Sequence, residues 1–226
     1  MSASLKPAAA GGVDLVDLVV DETRAALLKD IAVNLPDITL SERHLCDLEL
    51  LATGGFSPLR GFMTRADYEP VLDRMRLQDG SLWPLPICLD VSEIKARRLE
   101  AGQSAALRDA EGFLLAVIHI EDIWPVDREK EAAQVYATLD PSHPGTDYLF
   151  NRTGAYYIGG EIEVVSLPLH FDFKKIRLSP AEIRAAARKL NWKRMVGFVT
   201  ENPLHRPQFE MTLQAMRQAR ANLLIL

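Results

Sequence analysis

The sequence predicts an α+β fold: a β-rich domain of short strands, then the opening strand–turn–helix–strand of a parallel α/β domain. Three observations predict it. Between Trp83 and Ile123, short apolar runs alternate with turns at the spacing of a small barrel or sandwich. Toward the C-terminus, Arg194–Thr200 and Leu223–Leu226 are apolar runs fit for buried parallel strands, and between them Phe209, Leu213 and Met216 share one helical face. The composition is that of an ordinary globular protein, with 226 residues, 48% hydrophobic and 25% charged, enough for one large or two small domains.

Taken in order, residues 1–12 are small and Ala-rich and read as a disordered leader without the apolar core of a secretory signal. Val13–Val20 is apolar but broken by Asp14 and Asp17, and no run approaches the ~20 residues of a membrane span. Leu45, Leu48 and Leu51 predict a helix over 41–51, capped by Ser41 and stopped at Gly54-Gly55. Phe56–Met63 reads as a turn that folds its apolar side chains back, with Phe56, Phe62 and Trp83 in the core. A second helix is expected over Arg65–Arg76 and a strand over Pro86–Val91. Ala105–Arg108 and Phe113–Ile120 form a hairpin around Asp109–Gly112, and Glu121 and Asp122 end that strand rather than forming an acid/base pair. Asp127–Tyr136 is a charged helix, Leu139–Gly145 a Pro-rich loop, and Tyr156–Gly160 and Ile162–Leu167 are strands.

Phe171–Arg177 is a linker. Ser179, Pro180 and Glu182 are the cap, first position and third position of a helix running to Leu190. Glu201–Pro207 is a turn and Gln208–Arg220 a helix. The expected division is a first domain over 13–172 and an incomplete second over 177–226. Two strands and one crossover cannot bury a parallel sheet, so the second either docks on another body or belongs to a longer protein, the reading favoured here.

The net charge of -5, without any Lys/Arg-rich run, argues against nucleic-acid binding. Cys46 and Cys88 lie outside any metal-type spacing and read as reduced, largely buried thiols, with a cytoplasmic location as the default. His44, His119, His143 and His170 also lack ligand spacing and read as structural, so no metal site is expected. The chemistry falls instead where ligands of open α/β sheets bind, at the C-terminal end of the 194–200 strand. There the turn Thr200-Glu201-Asn202-Pro203-Leu204-His205-Arg206-Pro207-Gln208 sets His205 and Arg206 at a helix start, where they can hold a phosphate.

The stretch Leu45–Met63 resembles the opening of the sulfate adenylyltransferases, or ATP sulfurylases. Trp83–Ile87, Leu89–Val91, Asp140–Gly145, Tyr157–Gly160 and Asn202–Arg206 continue the resemblance in order, over about residues 40–226. It implies a PUA-like β-barrel domain followed by the first βαβ unit of a Rossmann-like nucleotidylyltransferase domain. It also implies the reaction of sulfate with MgATP to give adenosine 5′-phosphosulfate and pyrophosphate. ATP and sulfate would be substrates, with Mg²⁺ arriving on the ATP and no cofactor bound by this chain alone. Oligomerisation, no membrane, and a neighbouring adenylylsulfate kinase domain complete the implied picture, and His143 would lie in a loop supporting the interdomain surface.

The family signature, Gln-Thr-Arg-Asn-Pro-x-His-x-x-His, is only partly present. Thr200, Asn202, Pro203 and His205 match, and Asn202, His205 and Gln208 stand where the resemblance implies contacts to ATP phosphates. Val199 replaces Gln, Glu201 replaces Arg and Gln208 replaces the second His. A charge pair near ~4 Å is worth about 4 kcal/mol at an effective dielectric of ~20, and reversing one charge roughly doubles the change. Even a third of that costs over ~10-fold in affinity. The expectation is therefore a degenerate sulfate site and a structural role beside a kinase. The alternatives are the N-terminal portion of a working ATP sulfurylase and, against the acidic balance, an RNA-binding PUA-like module.

Overall fold

A computed structural model describes residues 14–225, so the expected leader lies outside the described residues. The chain divides into two compact units, 15–174 and a smaller one of 175–225.

In the larger unit, Leu18 donates its amide to Ala52 O and Val19 bridges Val164. Asp21 then caps a helix that the sequence did not announce, α1 (Glu22–Ala32), by accepting from Arg24 N. The apolar signal of α1 is smeared: Leu28 and Ala32 are buried, but Leu27, Ile31 and Val33 face solvent. Strand β1 (Asp37–Thr39), also unforeseen, pairs in parallel with a later strand. Helix α2 (Glu42–Ala52) starts at Ser41 as expected, and the capping is reciprocal: Ser41 Oγ accepts from His44 N while His44 Nδ1 accepts from Ser41 N. It stops before Gly54, whose φ of 81° an L side chain would resist.

The Phe56–Met63 turn contains strand β2 (Gly61–Phe62), and Phe62 and Met63 are buried. Phe56 meets Trp83 edge-on at 5.9 Å, and both pack against the core as anticipated. Helix α3 (Arg65–Arg74) ends two residues early because Met75 turns left-handed. Strand β3 (Leu89–Val91) covers only half of the expected run, though Ile87 and Cys88 are buried beside it. Ser92 caps the short α4 (Glu93–Ala96).

The hairpin forms as β4 (Ser104–Arg108) and β5 (Leu114–Pro125). The sequence placed the end of β5 at Glu121 and Asp122, and this is corrected. The register shifts between Ile120 and Asp122, so Glu121 is a bulge residue and the strand continues to Pro125. Helix α5 (Arg128–Val135) is capped by Asp127. The Pro-rich loop gives way to α6 (Pro144–Asn151), with Pro144 in the first turn and His143 Nδ1 accepting from Gly145 N and Thr146 N. The two expected strands at 156–167 are a single β6 (Tyr156–Val164).

The sheet order is β1-β4-β5-β6-β2, with β3 also on β6. β5 and β6 form its centre, in register from Ala116↔Val164 to Pro125↔Tyr156. Leu48, Leu51, Leu89, Leu107, Ile118 and Ile158 are fully buried around it.

In the smaller unit, Ser179 and Glu182 form the expected capping box of α7 (Pro180–Lys189). Strand β7 (Met195–Phe198), helix α8 (Arg206–Ala219) and strand β8 (Asn222–Ile225) make the βαβ unit, with β7 and β8 parallel from Met195↔Asn222 to Phe198↔Ile225. The expectation of buried strands fails here. Met195 is 42% exposed and Ile225 49%, because these two strands have no further layer over them among the described residues.

Candidate functional site

The turn between β7 and α8 is where sequence reasoning put the chemistry. Val199 and Thr200 lie just past β7, and Val199 is 74% exposed. Thr200 Oγ1 donates to Asn202 O at 2.9 Å and accepts from Asn202 N at 3.2 Å, closing a local hydroxyl turn. Glu201 sits at its apex, exposed and without a partner among the described residues. His205 is the N-cap residue of α8, and its amide donates to Gln208 Oε1 at 3.0 Å. The Gln208 carboxamide oxygen is thus engaged in capping its own helix. Asn202, His205 and Arg206 are exposed around the same helix start.

The turn brings Val199, Thr200, Glu201, Asn202, His205 and Gln208 together because they are contiguous in sequence. Its chemistry is mixed. A helix N-terminus and Arg206 favour an anion, and the Glu201 carboxylate opposes one.

Three histidines of the larger unit are held by partners far away in sequence. His44 Nε2 lies 2.8 Å from Asp90 Oδ1. His119 bridges Ser104 Oγ and Glu163 Oε1 at 2.9 and 2.7 Å. His170 Nε2 sits 2.8 Å from Glu49 Oε2. Glu121 and Asp122 each accept a backbone amide, from Glu161 and Arg65 respectively. Cys88 is buried, and burial pushes its thiol up, but Cys46 is exposed, which corrects the expectation of two largely buried thiols. It projects from the solvent side of α2, whose opposite face carries Leu48 and Leu51.

Among the described residues, no group of three or more His, Cys, Asp or Glu is arranged to hold a metal ion, and no helix is long and apolar enough to cross a membrane. Sequence reasoning missed one cavity in the larger unit, bordered by Lys95 and Arg152. Its residues are scattered from 38 to 154, so no local pattern announces it.

A PUA-like domain family matches residues 7–167 and the ATP-sulfurylase family matches residues 174–226. The sulfate adenylyltransferase of Mycosarcoma maydis is 46% identical over 219 residues, covering 95% of this chain and 38% of that protein. The Aspergillus terreus sulfate adenylyltransferase is 47% identical over the same extent, 219 residues, with the same coverage of 95% and 38%. That of Schizosaccharomyces pombe is 44% identical over 200 residues, 88% of this chain and 41% of that protein. Among solved structures, a hexameric APS kinase from Thiobacillus denitrificans matches with a TM-score of 0.76 and 34% identity, over 93% of this chain and 37% of that one. The chain therefore spans about two-fifths of the length of the relatives it matches.

Fold and turn define a two-part protein, a PUA-like domain leading into the first strand–helix–strand of an α/β unit. The chain belongs to the sulfate adenylyltransferase family and corresponds to its N-terminal portion.

Proposed function

We propose that the chain is a sulfate adenylyltransferase module that has lost sulfate binding and serves as a structural platform beside an adenylylsulfate kinase. Glu201 carries this reading: a carboxylate, exposed and without a partner among the described residues, stands where the family signature has the sulfate-binding arginine. A dianion brought to that turn meets repulsion in place of attraction. Val199 supplies no hydrogen bond where the signature has Gln, and at the ATP-phosphate position Gln208 can donate but carries no positive charge. The kinase partnership draws on the APS kinase that contains a segment similar to nearly all of this chain. An oligomer is expected on the same ground, as is a location in the cytoplasm, where sulfate activation would meet its ATP.

Asn202 and His205 are retained, and they favour residual contact with ATP phosphates. They also keep a second reading in view, the N-terminal portion of a working ATP sulfurylase. Pyrophosphate release from MgATP and sulfate by the full-length protein separates the two. The expected result is turnover at background, raised at least tenfold by the combined Val199→Gln, Glu201→Arg and Gln208→His substitutions. Robust turnover without them overturns the proposal and establishes the second reading.

A further inference from the structure

We propose that a cavity in the larger unit, between the β1–α2 corner and the start of α4, is a binding site for a small tetrahedral oxyanion of phosphate or sulfate size. The cavity measures about 390 Å³, ample for such an ion with water, and two cationic side chains, Lys95 and Arg152, border it. The Arg152 guanidinium has no partner among the described residues. Lys95 Nζ spends one proton on Asp37 O at 2.6 Å and keeps two.

Hydroxyls add donors to the same walls. Ser41 and Ser92 each use their oxygen to accept a helix amide, from His44 and Lys95 respectively, so each O–H proton remains to be given. Thr39 lines the cavity with its hydroxyl uncommitted among the described residues. These groups come from strand β1, two helix starts and the end of α6, and only the tertiary fold brings them together.

One carboxylate, Asp90, also lines the cavity. Its charge offsets one of the two cations, but both of its oxygens are engaged, so it turns no free lone pair toward an incoming anion. Oδ1 is 2.8 Å from His44 Nε2, and Oδ2 accepts from Gly154 N at 2.6 Å. Burial raises the Asp90 carboxyl, but the His44 hydrogen bond and charge and the Gly154 amide outweigh it and hold the group below the usual range. With Asp90 counted, Lys95 and Arg152 still leave the lining a net cation, and three hydroxyl donors accompany it, a set suited to an oxyanion.

The experiment is a ¹⁵N–¹H NMR titration of the whole 226-residue chain with inorganic phosphate and separately with sulfate, against chloride at equal ionic strength. Saturable shifts confined to residues 39–44, 92–95 and 152–154 are expected with either oxyanion and absent with chloride. Arg152→Ala, exposed and bonded to nothing that holds the fold, is expected to weaken binding at least tenfold at unchanged Tm. Lys95→Met weakens it likewise. Non-saturating shifts, equal effects of chloride, or an Arg152→Ala protein that binds as tightly as the parent each overturn the proposal. So do shifts centred on residues 199–208.

Discussion

At the residue scale, two carboxylates, Glu131 buried and Glu163 half-buried, oppose each other in how they respond to acid. Glu131 is 3% exposed, and one oxygen, Oε2, accepts both the Tyr68 and Tyr157 hydroxyls at 2.8 and 2.9 Å. Burial pushes its carboxyl up, more than the two tyrosine hydrogen bonds and Arg43 pull it down. The folded protein therefore takes up this proton before the unfolded chain does. Its contribution to stability grows as pH falls from neutral through the folded value and is complete below the unfolded value of about 4.3. Glu163 behaves in the reverse way. The paired hydrogen bonds from Arg24 at 2.6 and 2.7 Å, assisted by His119, outweigh desolvation and hold it at about 2. Its contribution is present above about 4.3 and lost as pH falls through about 2.

Glu131→Gln is expected to flatten the dependence of Tm on pH between 5 and 8, read by calorimetry. Glu131→Leu strands two buried hydroxyls and is expected to cost about 2–4 kcal/mol in urea unfolding. Glu163→Gln should move the acid-unfolding midpoint to higher pH in a circular-dichroism titration. The sequence marked His44, His119 and His170 as structural, and in the structure each lies within hydrogen-bond distance of a carboxylate. It could not name those partners, because Asp90, Glu163 and Glu49 lie 44 to 121 positions away.

At the scale of the element, local chemistry was readable and long-range pairing was not. The caps at Ser41, Asp127 and Ser179 lie within three residues of the amides they serve, so their helices were foreseen, and α1 was not, since half its apolar side chains point outward. Strand β2 escaped notice because two residues carry no periodicity, and its partner in β6 lies about a hundred positions on. What fixes β2 is close backbone approach. A Cβ on Gly61 would collide with Gly160 O, and one on Gly159 with Met63 O. Gly61→Ala is expected to cost about 3 kcal/mol, against about 1 kcal/mol for Ser179→Ala, which removes only a cap bond. Chemical denaturation of the two variants side by side checks the ranking, provided the second is followed by a probe in 175–225.

At the scale of the whole molecule, the two units differ in what holds them. The larger carries a continuous apolar core under β4, β5 and β6, whereas Ala187 and Thr212 are the only buried residues described in 175–225. Amides of β7 and β8 are therefore expected to exchange hydrogen roughly a hundredfold faster than those of β5 and β6, as mass spectrometry of deuterated peptides would show. The apolar runs at 194–200 and 223–226 gave the right topology and the wrong burial, because sequence reports what a strand can be packed against and not what is there. The candidate turn was legible for the opposite reason, since residues 199–208 need no distant partner to come together. The cavity beside Lys95 and Arg152 stayed hidden for want of any such contiguity.

One consequence follows from β7 and β8 pairing with each other alone among the described strands. Each leaves a bare rim of amide hydrogens and carbonyl oxygens, with no lysine or proline inside Met195–Phe198 or Asn222–Ile225 to blunt it. A longer polypeptide would occupy such a rim with its own backbone. Handled by itself at high concentration, the chain will zip onto its copies there, and light scattering that rises with protein concentration would register the stacking.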